Sequence, residues 1–173
     1  MDVELENEQQ LQGRGGALGF RLMQLEDIDE VCHIEEEAFS IPWTFVAFHN
    51  ELTNNHLARY LVMEIDQQVI GYAGMWVIMD EAHVTNIAVK DAYRGKTYGT
   101  QLVTELKKTA VIAGASRMTL EVRASNLVAQ HVYEKLGYRF SGIRKGYYTD
   151  NGEDAIMMWV DLQNDREDRH HDE

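Results

Sequence analysis

Three features of this sequence have the residue types and spacing that proton transfer and anion binding require: a carboxylate, a phenol and a glycine-bearing turn. Glu121 lies within Leu-Glu-Val-Arg, in an alternating segment typical of a buried strand, where a charge needs a specific reason. Tyr133 follows on a segment with helical spacing. A carboxylate can accept a proton and a phenol can donate one. The two residues are therefore candidates for a general base and a general acid.

Each of these two residues also has a structural interpretation. Glu121 could face solvent or lie on an edge strand, or it could form an ion pair with Arg123. Tyr133 could be a core tyrosine on the inner face of its helix. The residues alone leave these alternatives open.

The third feature is a turn at residues 90–96 that joins an apolar strand, residues 84–89, to a helix. Free backbone N–H groups and the positive end of the helix dipole meet at a helix start, which makes it a natural anion site. Gly95 and Gly99 would let an anion approach the main chain closely. An ordinary strand-to-helix turn could have the same composition. The spacings of a Walker A loop and of a dinucleotide fingerprint are both absent.

Hydrophobic periodicity predicts the elements that position these residues. We predict strands at 20–23, 60–65, 69–79, 81–89, 118–122, 138–143 and 156–160, and helices beginning near residues 26, 45, 97 and 126. We expect Ser40 or Thr44 to cap the second helix, and Val128 to lie on the inner side of the last one. This order predicts a single-domain α/β protein, with a mixed central sheet of about seven strands flanked by about four helices on both faces.

Composition narrows the class of protein. With 173 residues and 45% apolar residues, one domain over residues 19–162 is expected, between a flexible tail at 1–18 and a charged, disordered tail at 163–173. The single cysteine, Cys32, excludes a disulfide framework and suits a reducing compartment. No membrane span or export signal is evident, so we expect a cytoplasmic protein.

The acidic character of the chain bears on its partners. A net charge of −13 should repel nucleic acid and would favour a cationic ligand such as a basic peptide, although solubility explains an acidic surface equally well. The adjacent His170 and His171 are too local to indicate a metal site, and we expect no metal.

The turn reads Arg-Gly-Lys-Thr-Tyr-Gly over residues 94–99. It resembles the acetyl-coenzyme A pyrophosphate loop of the GCN5-related N-acetyltransferase (GNAT) superfamily, whose pattern is Q/R-x-x-G-x-G/A. Arg94 and Gly99 match the first and last positions, whereas Thr97 replaces the middle glycine. At positive φ a threonine would crowd a phosphate oxygen. We expect negative φ, with the Thr97 hydroxyl donating to the phosphate and capping the helix.

Longer sequence segments resemble those of the ribosomal-protein-alanine N-acetyltransferase (RimI-type) branch of that superfamily, and the similarity extends over about residues 20 to 162. They are Leu120-Glu-Val-Arg-Ala-Ser-Asn126, Val132-Tyr-Glu-Lys-Leu-Gly-Tyr138, the segment 143–158 with Tyr-Tyr-Thr-Asp-Asn-Gly-Glu-Asp-Ala, Trp43 in Ile-Pro-Trp-Thr, and Thr85-Asn-Ile-Ala-Val89.

The resemblance implies an enzyme that transfers an acetyl group from acetyl-coenzyme A to the α-amine of a protein N-terminus, typically of an alanine-starting small-subunit ribosomal protein. Separately, we expect a monomer. It implies that Glu121 is the base and that Tyr133 is the acid. The implied cofactor contacts are Ile87, Ala88, Val89, Arg94, Gly95, Lys96, Thr97, Tyr98, Gly99, Thr100 and Asn126. The implied peptide contacts are Phe39, Pro42, Trp43, Tyr147 and Tyr148. Acetylation of a lysine or small amine, or a catalytically idle coenzyme A-binding subunit, are the alternatives.

Overall fold

The computed structural model describes residues 16–163. The strands are β1 (Leu18–Leu22), β2 (Ala58–Ile65), β3 (Gln68–Ile78), β4 (Glu81–Val89), β5 (Arg117–Arg123), β6 (Arg139–Arg144) and β7 (Ala155–Asp161). The α-helices are α1 (Ile28–Ala38), α2 (Phe45–Thr53), α3 (Tyr98–Ile112) and α4 (Leu127–Lys135). One mixed sheet of seven strands has the order β1-β2-β3-β4-β5-β7-β6. The predicted fold class and element order are confirmed.

The predicted tails fall almost wholly outside the described residues. Within the described part, β1 begins at Leu18, so the sheet includes one residue of the predicted N-terminal tail. No helix of the described part is long and apolar enough to cross a membrane.

Two apolar clusters cover the two faces of the sheet. On one face, α1 and α2 bury Ile34 and Phe48 against Tyr72. On the other face, α3 buries Leu102 and Leu106. Successive residues of β2 join opposite clusters, as the period of two in a pleated strand requires. Tyr133 of α4 packs against the α3 cluster, so α3 and α4 share a face.

The sheet opens between its two central parallel strands. β4 and β5 pair only over their first residues, and the last pair is His83 with Thr119. Just beyond this point, the ladder between β3 and β4 shifts register, which leaves Thr85 as an extra residue between the pairs Gly74–Asn86 and Met75–Val84. A bulge of this kind bends its strand and increases the local twist. The far halves of β4 and β5 therefore diverge.

The bulge also exchanges the faces to which β4 side chains point. Val84 belongs to the α3 cluster, whereas Ala88, four residues later, belongs to the α1 and α2 cluster. An unbroken strand would place both residues on one face.

Two predictions concern side chains at the starts of α2 and α4. The Thr44 side chain caps α2 by accepting the Ala47 N–H at 3.2 Å, as predicted. The prediction for Val128 was wrong, because this side chain is 77% exposed. Ala129, Tyr133 and Leu136 form the inner face of α4, and Val128 lies outside that stripe.

Candidate active site

A cavity of about 420 Å³ occupies the cleft between the diverging halves of β4 and β5. It is bordered by the α1–α2 loop, β4, β5, α4 and the β6–β7 loop. Eight residues predicted from the sequence line this one cavity: Phe39, Trp43, Ile87, Glu121, Asn126, Tyr133, Tyr147 and Tyr148. Residues far apart in the sequence are therefore brought together where the sheet opens.

Glu121 lies on β5, and 9% of its side chain is exposed. Its Oε2 is 2.7 Å from Nε2 of His83, and its Oε1 is 3.3 Å from Nε of Arg144. Arg123 instead forms its ion pairs with Asp150 and Glu153. The solvent-facing interpretation of Glu121 and the Arg123 pair are both wrong, and the carboxylate borders the cavity instead.

Tyr133 of α4 lines the same cavity while its ring packs 5.4 Å from that of Tyr138. Burial raises the pKa of Tyr133 to about 12, so the phenol keeps its proton at neutral pH. A protonated phenol can donate to a leaving group. The core interpretation and the functional interpretation of Tyr133 are therefore compatible.

Glu121 and Tyr133 reach the cavity from opposite faces of the sheet. Leu120 and Val122 of β5 belong to the α3 cluster, so the intervening Glu121 points to the other face. Tyr133 packs on the α3 side. A group held in the cleft would therefore lie between a carboxylate and a phenol.

The open edge of β4 presents backbone groups to the cleft. The Lys90 N–H donates to the Ile70 carbonyl at 2.8 Å, which makes Ile70–Lys90 a hydrogen-bonded pair of the β3–β4 ladder. In an antiparallel ladder such pairs alternate with pairs whose backbone groups point away from the partner strand. Ile87 and Val89 belong to the second kind, so their N–H groups point toward the cleft side.

Ala88 is placed differently from its two neighbours. By the same alternation its backbone groups point toward β3, and its methyl group is buried in the α1 and α2 cluster. The structure therefore gives Ala88 no group that faces the cleft, in contrast to the cofactor contact expected from the sequence.

The glycine-bearing turn has the features of an anion site, but it does not line the central cavity. α3 begins at Tyr98, and the first helical bond runs from the Gln101 N–H to the Thr97 carbonyl at 3.0 Å. The N–H groups of residues 98–100 precede that bond, which leaves them available to a ligand. Gly95 has φ of +73°, a conformation that favours glycine, and a Cβ on Gly99 would meet open space.

Thr97 confirms one expectation and corrects another. Its φ is −80°, so the side chain is not forced into the strained region. However, its hydroxyl does not cap the helix and instead accepts a hydrogen bond from Gln101 Nε2 at 2.9 Å.

The remaining residues of the turn are held by local contacts. Arg94 donates from Nε to the Val89 carbonyl at 3.1 Å and pairs with Asp91 at 2.5 Å. Lys96 lies over the ring of Tyr93, which also packs against Tyr98 with ring centroids 5.9 Å apart. Thr100 lies in the first turn of α3. Asn126 accepts the Ala129 N–H at 3.1 Å and caps α4 at the cavity wall.

Two aromatic loops face each other across the cavity. Trp43 packs 5.5 Å from Phe48 and also lines the cavity, so this loop both packs inward and forms a wall. Tyr147 and Tyr148 form an edge-to-face pair at 5.1 Å on the other side. Pro42 belongs to the first loop but does not line the cavity.

The two loops also touch. Ser40 donates from Oγ to Asp150 Oδ2 at 2.5 Å, which joins the loop of Trp43 to the loop of Tyr148. Asp150 also accepts from Arg123 Nη2 at 2.7 Å. The hydrogen bond from Ser40, followed by that from Arg123, lowers the pKa of Asp150 to about 2. An ionised Asp150 is therefore part of the cavity rim.

Sequence reasoning missed Glu35, which lines the cavity although it is only 2% exposed. Its Oε1 accepts the Trp43 N–H at 3.0 Å, while its buried Oε2 has no hydrogen-bond partner among the described residues. Burial raises the pKa of Glu35 to about 7. The available signal was spacing, because Ile28, Val31 and Glu35 follow the apolar stripe of α1.

Comparison with known proteins identifies relatives of this chain. Residues 22–138 match the model of the acetyltransferase (GNAT) family. A protein from Bacillus subtilis (strain 168), provisionally named as a ribosomal protein bS18-alanine N-acetyltransferase, is 49% identical over 142 residues. That match covers 82% of this chain and 94% of the relative.

The ribosomal protein bS18-alanine N-acetyltransferase of Escherichia coli (strain K12) is 36% identical over 140 residues, covering 79% of this chain and 92% of the relative. The crystal structure of the Escherichia coli enzyme superposes with a TM-score of 0.77 at 30% identity, covering 84% of this chain and 94% of that one. The NatC complex, solved with Gag peptide and CoA, shares the fold with a TM-score of 0.73 at 17% identity, covering 84% of this chain and 99% of that one.

Proposed function

The chain belongs to the acetyltransferase (GNAT) family, and from that premise we propose that it acetylates the N-terminal α-amine of a protein, using acetyl-coenzyme A. It is an acyltransferase, and its relatives are ribosomal protein bS18-alanine N-acetyltransferases. We propose the same class of acceptor here, an alanine-starting small-subunit ribosomal protein. One observation carries the proposal: a single cleft receives Glu121 from one face of the sheet and Tyr133 from the other.

The residues present fit the proposed cofactor. The N–H groups at the start of α3 and the open space beside Gly99 suit a pyrophosphate, and the outward N–H groups of Ile87 and Val89 suit an amide-bearing arm. Asn126 would contact the same arm from the α4 end of the cleft. When bound, the cofactor supplies an activated acetyl group as a thioester. Within residues 16–163 no cluster of three or more His, Cys, Asp or Glu side chains could hold a metal ion, and we propose a metal-free reaction.

We assign the two proton transfers to Glu121 and Tyr133. Glu121 removes a proton from the incoming ammonium, so that the neutral amine nitrogen can attack the acetyl carbonyl carbon. The bond from that carbon to sulfur then breaks, and Tyr133 donates its proton to the departing thiolate. The nitrogen releases its second proton to solvent as the amide forms, and solvent returns a proton to Tyr133. The high pKa of Tyr133 supports this role, because the phenol is protonated when the thiolate forms.

Two arguments support an α-amine as the acceptor: its pKa and the way in which the two aromatic loops meet. An α-amine has a pKa of about 7.7–8.0, against about 10.4 for lysine, so far more of it is neutral at pH 7. The contact between Ser40 and Asp150 joins the two aromatic loops, an arrangement that favours entry of a chain end. We further propose that the enzyme acts as a monomer in the cytoplasm, and on protein rather than nucleic acid.

A peptide panel tests the acceptor. Free N-terminal peptides that begin with alanine should be acetylated faster than matched α-blocked peptides that carry one lysine, with thiol release as the readout. Equal or faster turnover of the blocked lysine peptides would contradict the proposed acceptor.

Glu121→Gln tests the base. General base catalysis is typically worth about 10²- to 10⁴-fold, so kcat should fall in that range while acetyl-coenzyme A affinity is kept. The loss should shrink as pH rises, because more of the acceptor arrives deprotonated. A near-normal kcat from pH 6 to pH 9 would remove Glu121 from the mechanism.

Tyr133→Phe tests the acid with a minimal change. It removes one hydroxyl and keeps the ring that packs against Tyr138, so stability should hold while the chemical step slows. Single-turnover kinetics measure that step directly. An unchanged single-turnover rate would show that the thiolate leaves without help from Tyr133.

A further inference from the structure

His83 occupies the point at which β4 and β5 part. It forms the last parallel pair with Thr119, and Glu121 lies two residues further along β5, on the same face as Thr119. The ladder has already ended there, so no residue of β4 lies opposite Glu121 in register. Any side-chain partner from β4 must therefore reach across the opening.

His83 makes that contact. Its Nε2 lies 2.7 Å from Glu121 Oε2, within the range of a charge-assisted hydrogen bond. A carboxylate that acts as a base only accepts hydrogen bonds, so the role proposed for Glu121 requires the hydrogen of this pair to be on Nε2. Arg144 contacts the other oxygen at the longer distance of 3.3 Å, and its side chain is 51% exposed. The histidine contact is therefore the shorter of the two that Glu121 makes.

The imidazole does not itself line the cavity. Its effect on any reaction in the cleft must pass through the carboxylate that it contacts. A glutamate side chain has three rotatable bonds, and a base is effective only within hydrogen-bond reach of the proton that it removes. A misplacement of about 1 Å can cost about 10²-fold in rate.

We propose that His83 is a positioning residue for Glu121, whose carboxylate it holds over the cleft by donating a hydrogen bond from Nε2 to Oε2. This inference rests on the proposed function, in which Glu121 is the base. No covalent step is added, because the hydrogen on Nε2 stays on the imidazole throughout.

The kinetic test compares His83→Ala with His83→Gln, because the glutamine amide can place an N–H donor near the position of Nε2. His83→Ala should lower kcat about 10- to 100-fold and leave the KM for acetyl-coenzyme A within about twofold of wild type. His83→Gln should recover most of that loss. His131→Ala is the matched control, since His131 also faces a glutamate, Glu134, at 3.6 Å but lies on the exposed surface.

A double variant shows whether the effect passes through Glu121. In a Glu121→Gln background, His83→Ala should cause little further loss, because residues that act as a unit are not additive. Equal kcat for His83→Ala and wild type would overturn the proposal. A full additional loss in the double variant, or no recovery in His83→Gln, would do so as well.

Nuclear magnetic resonance of the imidazole provides a readout that does not depend on activity. The Nε2 hydrogen of His83 should be protected from exchange in the wild-type protein and lose that protection in Glu121→Ala. An Nδ1–H tautomer, or protection that does not depend on Glu121, would overturn the proposal even if no acceptor peptide were acetylated. Conversely, the wild-type protein could acetylate no acceptor peptide while its His83 Nε2 hydrogen is still protected from exchange. That result would contradict the proposed function and leave the positioning role of His83 standing.

Discussion

Replacing Glu35 with glutamine should change how stability depends on pH. Burial raises the pKa of Glu35 from its ordinary value of 4.5 to about 7, so the folded protein binds this proton more tightly than the unfolded chain does. Between those two pH values the folded state keeps a proton that the unfolded chain has released. The contribution of Glu35 to the free energy of unfolding is therefore fully present below about pH 4.5 and is lost as pH rises toward 7.

The size of this effect follows from the same two values. The pKa values of Glu35 in the unfolded and folded states, 4.5 and about 7, differ by about 2.5. A difference of one in pKa is worth about 1.36 kcal/mol, so the free energy of unfolding changes by about 3 kcal/mol. Glutamine keeps the volume and an oxygen for the Trp43 N–H, but it does not titrate. Relative to wild type, Glu35→Gln should therefore gain up to about 3 kcal/mol between pH 4.5 and pH 8.

Urea denaturation at several pH values measures this difference. Other titrating groups affect both proteins alike, so they cancel in the difference between wild type and variant. Glu36→Gln is the control, because Glu36 is exposed on the same helix and its replacement also removes one charge. Parallel pH profiles for wild type and Glu35→Gln would refute the reasoning, since they would mean that the carboxyl ionises as easily in the folded state as in the unfolded chain.

Three other outcomes are expected. Acetyl-coenzyme A should bind in excess chelator, and calorimetry that found no binding there would contradict a metal-free site at the start of α3. Thr97→Gly should change that affinity by no more than about 1–2 kcal/mol, because its hydroxyl bonds Gln101 and its φ is ordinary; a larger gain would show that the methyl obstructs the phosphate. Gly74→Ala should destabilise the fold by about 1–3 kcal/mol in urea, because a Cβ there would overlap the buried ring of Tyr60; unchanged stability would mean that the ring moves aside freely.

Periodicity was enough to predict the elements of this fold. The alternation in β5 and the helical stripe of α3 are local signals, and each element packs its apolar side into one of the two clusters. Glu121 and Tyr133 could be singled out for a related reason, since each puts a polar group within an otherwise apolar pattern. Local patterns also mislead: Val128 is apolar yet exposed, because it lies just outside the stripe that faces the core.

The contacts that complete the site could not be predicted in this way. His83 and Arg144 lie on β4 and β6, and they meet Glu121 only because β5 lies near both strands in the folded sheet. Glu35 escaped notice because a run of three glutamates looks like a solvated helix face, whereas only its first member lies on the buried stripe. Such contacts depend on register and on the twist of the sheet, which no short window of sequence encodes.

The opening between β4 and β5 explains why this sheet can bind a ligand at all. Had the parallel ladder continued past His83, hydrogen bonds to β5 would have occupied the outward N–H groups of Ile87 and Val89. The bulge at Thr85 coincides with the end of that ladder and reverses the faces of the residues that follow. The same irregularity thus releases backbone donors on β4 and leaves Glu121 without an in-register neighbour on the β4 side. A reactive group can then reach the cleft from one face of the sheet and its acceptor from the other.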